Sequence, residues 1–292
     1  MKQHERFGLI CLFILYFLWG SLFLANRLAV ESIPPLIAAL ARHGIGGGSL
    51  ILGLLLLRKW NIPTYIETRN AIFVGMIITG IASGTLTWAA VNVPSSYVAM
   101  AFTTMPLFML MMNWISFERV TPSRFDLIAL PLGLLGSGLM LTKGSSLSGG
   151  HIGVFDVILL IVCPSTWAFG GLLGRKLAMP KDIFVTSALQ MVGGSILLAI
   201  LSLLLGEWSS FSFAEITQRS LLGVAYIALG GSLVGYTAFA VALRNLDSRI
   251  VSTYAIVQPV IAIALGFFVG EQVGHPFVIL GAVFAVTAVI LT

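Results

Sequence analysis

Apolar runs about as long as a bilayer is thick alternate with short polar breaks along almost the whole chain. A membrane-crossing helix needs about 20 mostly apolar residues. Ten segments fit that pattern: Leu9–Val30, Pro35–Leu57, Asn70–Val91, Ser95–Ile115, Arg124–Thr142, Val154–Leu173, Ile183–Leu205, Ser220–Leu243, Ile250–Val269 and Pro276–Leu291. Many breaks are short and carry Pro or Gly, as in SIPP, NVPSS and GEQVGHP. The longest are a polar link, Lys143–Gly153, and an amphipathic one, Glu207–Arg219. The opening MKQHERFG imitates the start of a signal peptide, but the apolar run continues to Val30 with no small-residue cleavage site. A retained first helix is expected.

The pattern also repeats. Met100–Phe108 reads MAFTTMPLF and Thr253–Ile261 reads TYAIVQPVI, which places Pro106 and Pro259 153 residues apart. The same offset pairs Asn92 with Asn245 and Glu118 with Glu271. Nearer the start of each half the offset is 148, pairing Trp19 with Trp167, Arg27 with Arg175, and Arg42 with Gln190. Two related halves are expected, residues 1–143 and 152–292, with five helices each. Five is odd, so the halves would insert with opposite orientation. The expected fold class is an all-α integral membrane protein, ten transmembrane helices in two inverted five-helix repeats. Inverted repeats place a binding site near the midplane, where the halves meet.

Composition removes the soluble alternatives. Charged residues make up 9% of the chain and hydrophobic ones 58%, with a mean hydropathy of +1.02, against roughly 25% charged in soluble domains. The net charge of +5 does not call for nucleic acid, because Lys and Arg gather in cytoplasmic loops of membrane proteins. With a cytoplasmic N-terminus, that side holds Lys2, Arg6, Arg58, Lys59, Arg69, Arg119, Arg124, Arg175, Lys176, Lys181, Arg244 and Arg249, and the other only Lys143 and Arg219. Both termini are therefore expected in the cytoplasm of a cell whose inner membrane the chain crosses. Cys11 and Cys163 lie in apolar runs and imply no disulfide framework.

The stretches LWGSLFLANRLAVESIPPLIAALAR and VPSSYVAMAFTTMPLF, the FERVTP turn, and then STWAFGGLLGRKL, LDSRIVSTYAIVQPV and GEQVG resemble the EamA-type permeases of the drug/metabolite transporter superfamily. The resemblance covers essentially the whole chain. It implies a ten-helix inner-membrane exporter of small metabolites, with a central cavity lined mainly by helices one, three, four, six, eight and nine.

Candidate chemistry follows the repeat. Pro106 and Pro259 each remove a backbone donor in mid-membrane, so the freed groups need partners. Both are candidate kinks or hinges that face the substrate path. The candidate lining residues are Trp19, Phe23, Thr87, Trp88, Thr104, Trp167, Tyr236, Tyr254 and Gln258, a set suited to a small ligand with an apolar body and a few hydrogen-bonding groups. Interfacial anchoring is the competing reading for Trp and Tyr near helix ends. Arg42 and His43 are the candidate charge or proton site. The favoured expectation is that Arg42 snorkels to the membrane face or pairs with a backbone carbonyl; the competing one is a carboxylate-binding Arg beside a titrating His. Arg27 and Arg175 are expected as helix-end ties, and Glu118 and Glu271 as helix-end contacts. Five small-xxx-small pairs (Gly44–Gly48, Gly80–Gly84, Gly170–Gly174, Gly231–Gly235, Gly266–Gly270) mark candidate close helix contacts.

No Asp or Glu falls at mid-depth. That disfavours a cationic-drug antiporter built on a buried carboxylate, and the single inward Arg disfavours sugar phosphates. The sequence contains no HExxH, GxSxG, phosphate loop or metal-ligand cluster, so no enzyme activity, metal or cofactor is expected. The expected function is export of neutral or zwitterionic solutes, amino acids and their derivatives first, with the lipid bilayer as surroundings and a coupling proton left open. Efflux of drugs or other amphiphiles is the alternative, and a non-transporting sensor the more distant one.

Overall fold

Each apolar run becomes a helix in a computed structural model of the chain, which describes residues 3–117, 121, 123–144, 153–247, 250–251, 253–271 and 276–291. The Glu118 turn, and Lys2, Arg119 and Arg249 of the loop charges, lie outside the described residues. The helices are α1 (Gln3–Ala29), α2 (Pro35–Leu56), α3 (Tyr65–Asn92), α4 (Ser95–Phe117), α5 (Arg124–Gly144), α6 (Val154–Lys176), α7 (Ile183–Leu204), α8 (Gln218–Asn245), α9 (Tyr254–Phe268) and α10 (Pro276–Leu291). Among the described residues there is no strand, and seven helices, α1 to α4 and α6 to α8, are long and apolar enough to cross a membrane. α9 and α10 contain the shorter apolar stretches Val257–Phe268 and Ile279–Ala288. The chain is a multi-pass membrane protein.

Local chemistry sets the ends. α3 begins five residues before the apolar run because Thr64 and Glu67 form a reciprocal cap: Glu67 N–H donates to Thr64 Oγ1 at 3.3 Å, and Thr64 N–H to Glu67 Oε2 at 2.8 Å. Asp182 accepts from Phe184 N–H at 2.8 Å to start α7. Pro34–Pro35 and Pro94 open α2 and α4, where a missing N–H costs nothing.

Two helices widen to π geometry in mid-course, and α4 does so over its final residues, Asn113–Phe117. α3 widens to a π-helical stretch over Met76–Ala82 and α8 over Tyr226–Val234. The two stretches begin 150 residues apart, close to the repeat offset. Such wide turns re-aim side chains and are frequent at functional sites. α4 breaks at Thr103–Thr104, whose hydroxyls donate back to the Met100 and Ala101 carbonyls at 2.6 and 2.7 Å. Pro106 therefore stands in the first turn of a new segment rather than in an unbroken helix, while Pro259 lies inside α9.

The main packing contacts join helices of the first half of the sequence to helices of the second. α1 lies against α8 and α9, and α6 lies against α3 and α4; α2 pairs with α7, and α5 with α10. Glycines allow the closest approaches. Gly231 and Gly235 of α8 receive Leu22 and Trp19, and Gly80 and Gly84 face Leu197 and Leu198. Gly48 faces open space. The crossing of α3 on α7 brings backbone against backbone at Gly75, Gly193 and Gly194, none of which belongs to the five small-xxx-small pairs.

Candidate functional site

Trp19, near the middle of α1, organises one wall of a central cavity. Its indole N–H donates to the Gly231 carbonyl in the π stretch of α8 at 3.1 Å. Its ring meets Tyr236 at 5.6 Å, Phe239 at 5.4 Å and Tyr254 at 5.1 Å between centroids. Only a residue without a side chain at Gly235 leaves room for the indole, since a Cβ there would stand 2.5 Å from its nitrogen. The opposite wall is Phe23, Phe102 and Trp167, with Phe102 6.1 Å from Phe23 and 5.6 Å from Trp167. Edge-on aromatic contacts of this kind are favourable beyond the area they bury. Between the walls lies a small cavity of about 50 Å³.

Four polar side chains enter this mostly apolar space: Asn26, Arg42, Ser83 and Gln258. Arg42 is 6% exposed, and its Nε donates to Ser232 Oγ at 3.3 Å. The snorkelling expected for Arg42 does not occur. α2 packs against α7 and α8, which turns position 42 toward the centre, and the guanidinium meets a serine side chain rather than the membrane face. His43 is also buried. Its Nε2 pairs with Ser83 Oγ at 2.7 Å, and its Nδ1 has no partner among the described residues. Ser83 and Ser232 are 149 residues apart, so neighbouring positions on α2 grip serines that correspond under the repeat offset. Both serines sit at or beside the π stretches.

Of the residues expected to line a substrate path, the structure brings Trp19, Phe23, Trp167, Tyr236, Tyr254 and Gln258 together around the cavity, with Arg42. Thr87, Trp88 and Thr104 are not among its lining residues. Thr87 donates to Asn26 Oδ1 at 3.0 Å behind the wall, Trp88 packs edge-on to Phe155, and Thr104 is turned back on its own helix. His43 stands one layer behind Ser83. Sequence reasoning missed Asn26, Phe102, Ser83 and Ser232. The two serines carried a usable signal, their shared offset.

The bundle is tied at both ends. At the end where α1 finishes, the Glu271 carboxylate accepts from the Ser95 and Ser96 N–H groups at 2.8 and 3.1 Å and from Ser96 Oγ at 2.7 Å, capping α4 from the other half. Arg27 Nε lies 3.9 Å away. Glu207 caps α2 in the same manner, accepting from Leu36 and Ile37 N–H at 3.2 and 3.0 Å. Half-way along α1, the Tyr16 hydroxyl bonds Thr253 Oγ1, and at the end of α8 the Arg244 guanidinium covers the Phe184 ring at 5.4 Å. Glu271→Ala leaves three donors of α4 without their acceptor. It should destabilise the protein by about 1–2 kcal/mol, with Glu271→Gln intermediate, as read by thermal melting of the full chain in detergent.

The chain is thus a multi-pass helical bundle with a cavity lined by side chains from seven of its helices. Comparison with known proteins narrows the class. The EamA-like transporter family matches the chain twice, over residues 6–142 and 154–292, and the chain belongs to that family. It is 33% identical over 265 residues to the uncharacterized inner membrane transporter YedA of Escherichia coli, covering 89% of this chain and 82% of the relative. It is 22% identical to the protein PecM of Dickeya dadantii, covering 94% of this chain and 88% of the other, and 26% identical to the uncharacterized transporter YvbV of Bacillus subtilis, covering 90% and 84%. A solved crystal structure shares the fold, with a TM-score of 0.63 at 15% identity over 97% of this chain and 95% of its own.

Proposed function

We propose that the chain is a secondary exporter of small metabolites, amino acids or amino-acid-like neutral or zwitterionic solutes, acting by alternating access across the cytoplasmic membrane. In this reading all ten helices span the bilayer, residues 1–143 and 152–292 form two inverted repeats, and both termini face the cytoplasm. The observation that carries it is the cavity itself. Trp19, Phe23 and Arg42 come from the first half, and Trp167, Tyr236, Tyr254 and Gln258 from the second, as a midplane site between repeats requires. The double family match, the exchange of packing partners between halves, the two π stretches and the loop charges support the same reading. The aromatic walls suit the apolar side chain of a solute, and the four polar groups its head. The aromatic share of the lining is also what favours amphiphile efflux as the second reading.

The test is uptake into inside-out membrane vesicles enriched in the protein. Labelled amino acids should accumulate above the level of vesicles lacking it. Equal levels for every amino acid, alongside accumulation of a cationic dye, would favour the second reading.

A further inference from the structure

Arg42 stands in the cavity without a counter-ion. It lies seven residues beyond Pro35, about 10 Å along α2 at 1.5 Å per residue, and is 6% exposed. Among the described residues it makes one hydrogen bond, Nε to Ser232 Oγ at 3.3 Å, and no ion pair. The two terminal nitrogens of the fork are therefore left to the cavity. Among the described residues, no Asp or Glu lines that space. Carboxylates elsewhere have partners of their own: Glu31, the nearest in sequence, pairs with Arg219 at 3.1 Å, Glu207 caps Leu36 and Ile37, and Asp156 accepts from Asn92 Nδ2 at 3.1 Å and from Gly153 N–H at 2.9 Å.

A buried cation with no anion is costly in a low-dielectric interior and is found inside membranes chiefly where function requires it. An Arg in particular presents two parallel N–H donors matched to a carboxylate. Resting on the exporter reading above, we propose that Arg42 is the carboxylate subsite of the cavity, so that the exported solute carries a single carboxylate on an apolar or aromatic body. Ser232 holds the Nε edge of the guanidinium and fixes which edge faces the ligand. The walls of Trp19, Tyr254, Phe102 and Trp167 receive the body. Because no acidic side chain lines the cavity, an ammonium has no matching charge there. A zwitterionic amino acid and a simple or N-acylated carboxylate share the recognised group, while a cation lacking a carboxylate forgoes that contact and meets the repulsion of Arg42.

The purified full-length protein in detergent can be titrated with five compounds sharing a benzyl body: phenylalanine, N-acetylphenylalanine, 3-phenylpropionate, phenylalaninamide and phenethylamine. Thermal shift and the quenching of tryptophan fluorescence, to which Trp19 and Trp167 contribute two of six tryptophans, give the readout. The three carboxylates should bind at least tenfold more tightly than the amide and the amine. Phenylalanine against N-acetylphenylalanine then separates zwitterionic from simple carboxylate substrates. Inorganic phosphate should give no shift, and Arg42→Gln should remove the carboxylate preference while Arg42→Lys keeps part of it. The wild-type series alone decides the matter if a variant fails to fold. Equal binding of amide and carboxylate, an equal response to phosphate, or a preference that survives Arg42→Gln would each overturn the subsite. Those outcomes leave the exporter reading standing, whereas no binding by any of the five would overturn both.

Discussion

Replacing Gly75 with alanine should sharply destabilise the protein, although it adds only a methyl group. A Cβ at Gly75 would fall inside the contact distance of the Gln190 carbonyl oxygen, Cα and carbonyl carbon. These are backbone atoms and cannot turn aside as a side chain would. Gly193 presents the same problem to the Ile72 backbone, and Gly194 to Thr79. The Thr79 hydroxyl sits at the crossing, its one proton shared between the Gln190 carbonyl at 2.7 Å and the Gly75 carbonyl at 2.8 Å. Water-exclusion gives helices in lipid no reason to associate, so close approach and interhelical hydrogen bonds supply the attraction. Forcing α3 and α7 apart loses both. Overpacking costs about 1–3 kcal/mol and occasionally more, and the lost hydrogen bond adds about 0.5–1.5 kcal/mol. Gly48→Ala is the control, since nothing lies within 4 Å of a Cβ there and alanine favours helix by about 1 kcal/mol. Melting of the two variants in detergent should diverge in opposite directions from wild type; equal melting points would contradict the backbone crossing.

Trp19→Ala should have the largest effect on the cavity. It removes the ring that meets Tyr236, Phe239 and Tyr254, and it leaves the Gly231 carbonyl without its indole donor. Truncating a buried Trp costs about 3–5 kcal/mol, and one face of Trp19 borders the cavity rather than packed atoms, so stability should fall by the lower part of that range. Solute binding should fall more, because the wall itself is gone. Trp19→Phe keeps an aromatic face and drops the hydrogen bond. It should retain folding and bind detectably but more weakly, as titrations monitored by thermal shift would read. A Trp19→Ala variant that binds as wild type would place the solute elsewhere.

The helices were legible because lipid-facing and protein-facing positions alike are apolar, so each run marks its helix. The ends were less so. α1 extends back to Gln3 and α3 to Tyr65, where polar residues and a cap continue a helix that hydropathy stops counting. The π stretches left no mark in hydropathy, because widening a turn changes direction and not composition. In the cavity, the repeat pointed to Trp19 and Trp167, and four-residue spacing to Tyr254 and Gln258. Thr87 and Thr104 share the polarity of lining residues, yet the Thr104 hydroxyl bonds its own helix and the Thr87 hydroxyl bonds Asn26 behind the wall. Which way a threonine turns depends on the break at Thr103–Thr104 and the wide turn before Ser83, neither of which the sequence displays. Arg42 was visible as an intramembrane charge, but its direction came from the packing of α2 on α7 and α8.

The central claim, that side chains from both halves build one cavity through which a small solute passes, is tested most directly by counterflow in proteoliposomes. Vesicles loaded with unlabelled amino acid should draw in the labelled form through the wild-type protein. Trp19→Ala in the first half and Trp167→Ala in the second should each abolish that uptake, while Trp114→Ala, on the exposed surface of α4, should leave it intact. Uptake that persists through both cavity variants, or falls equally in all three, would contradict the account.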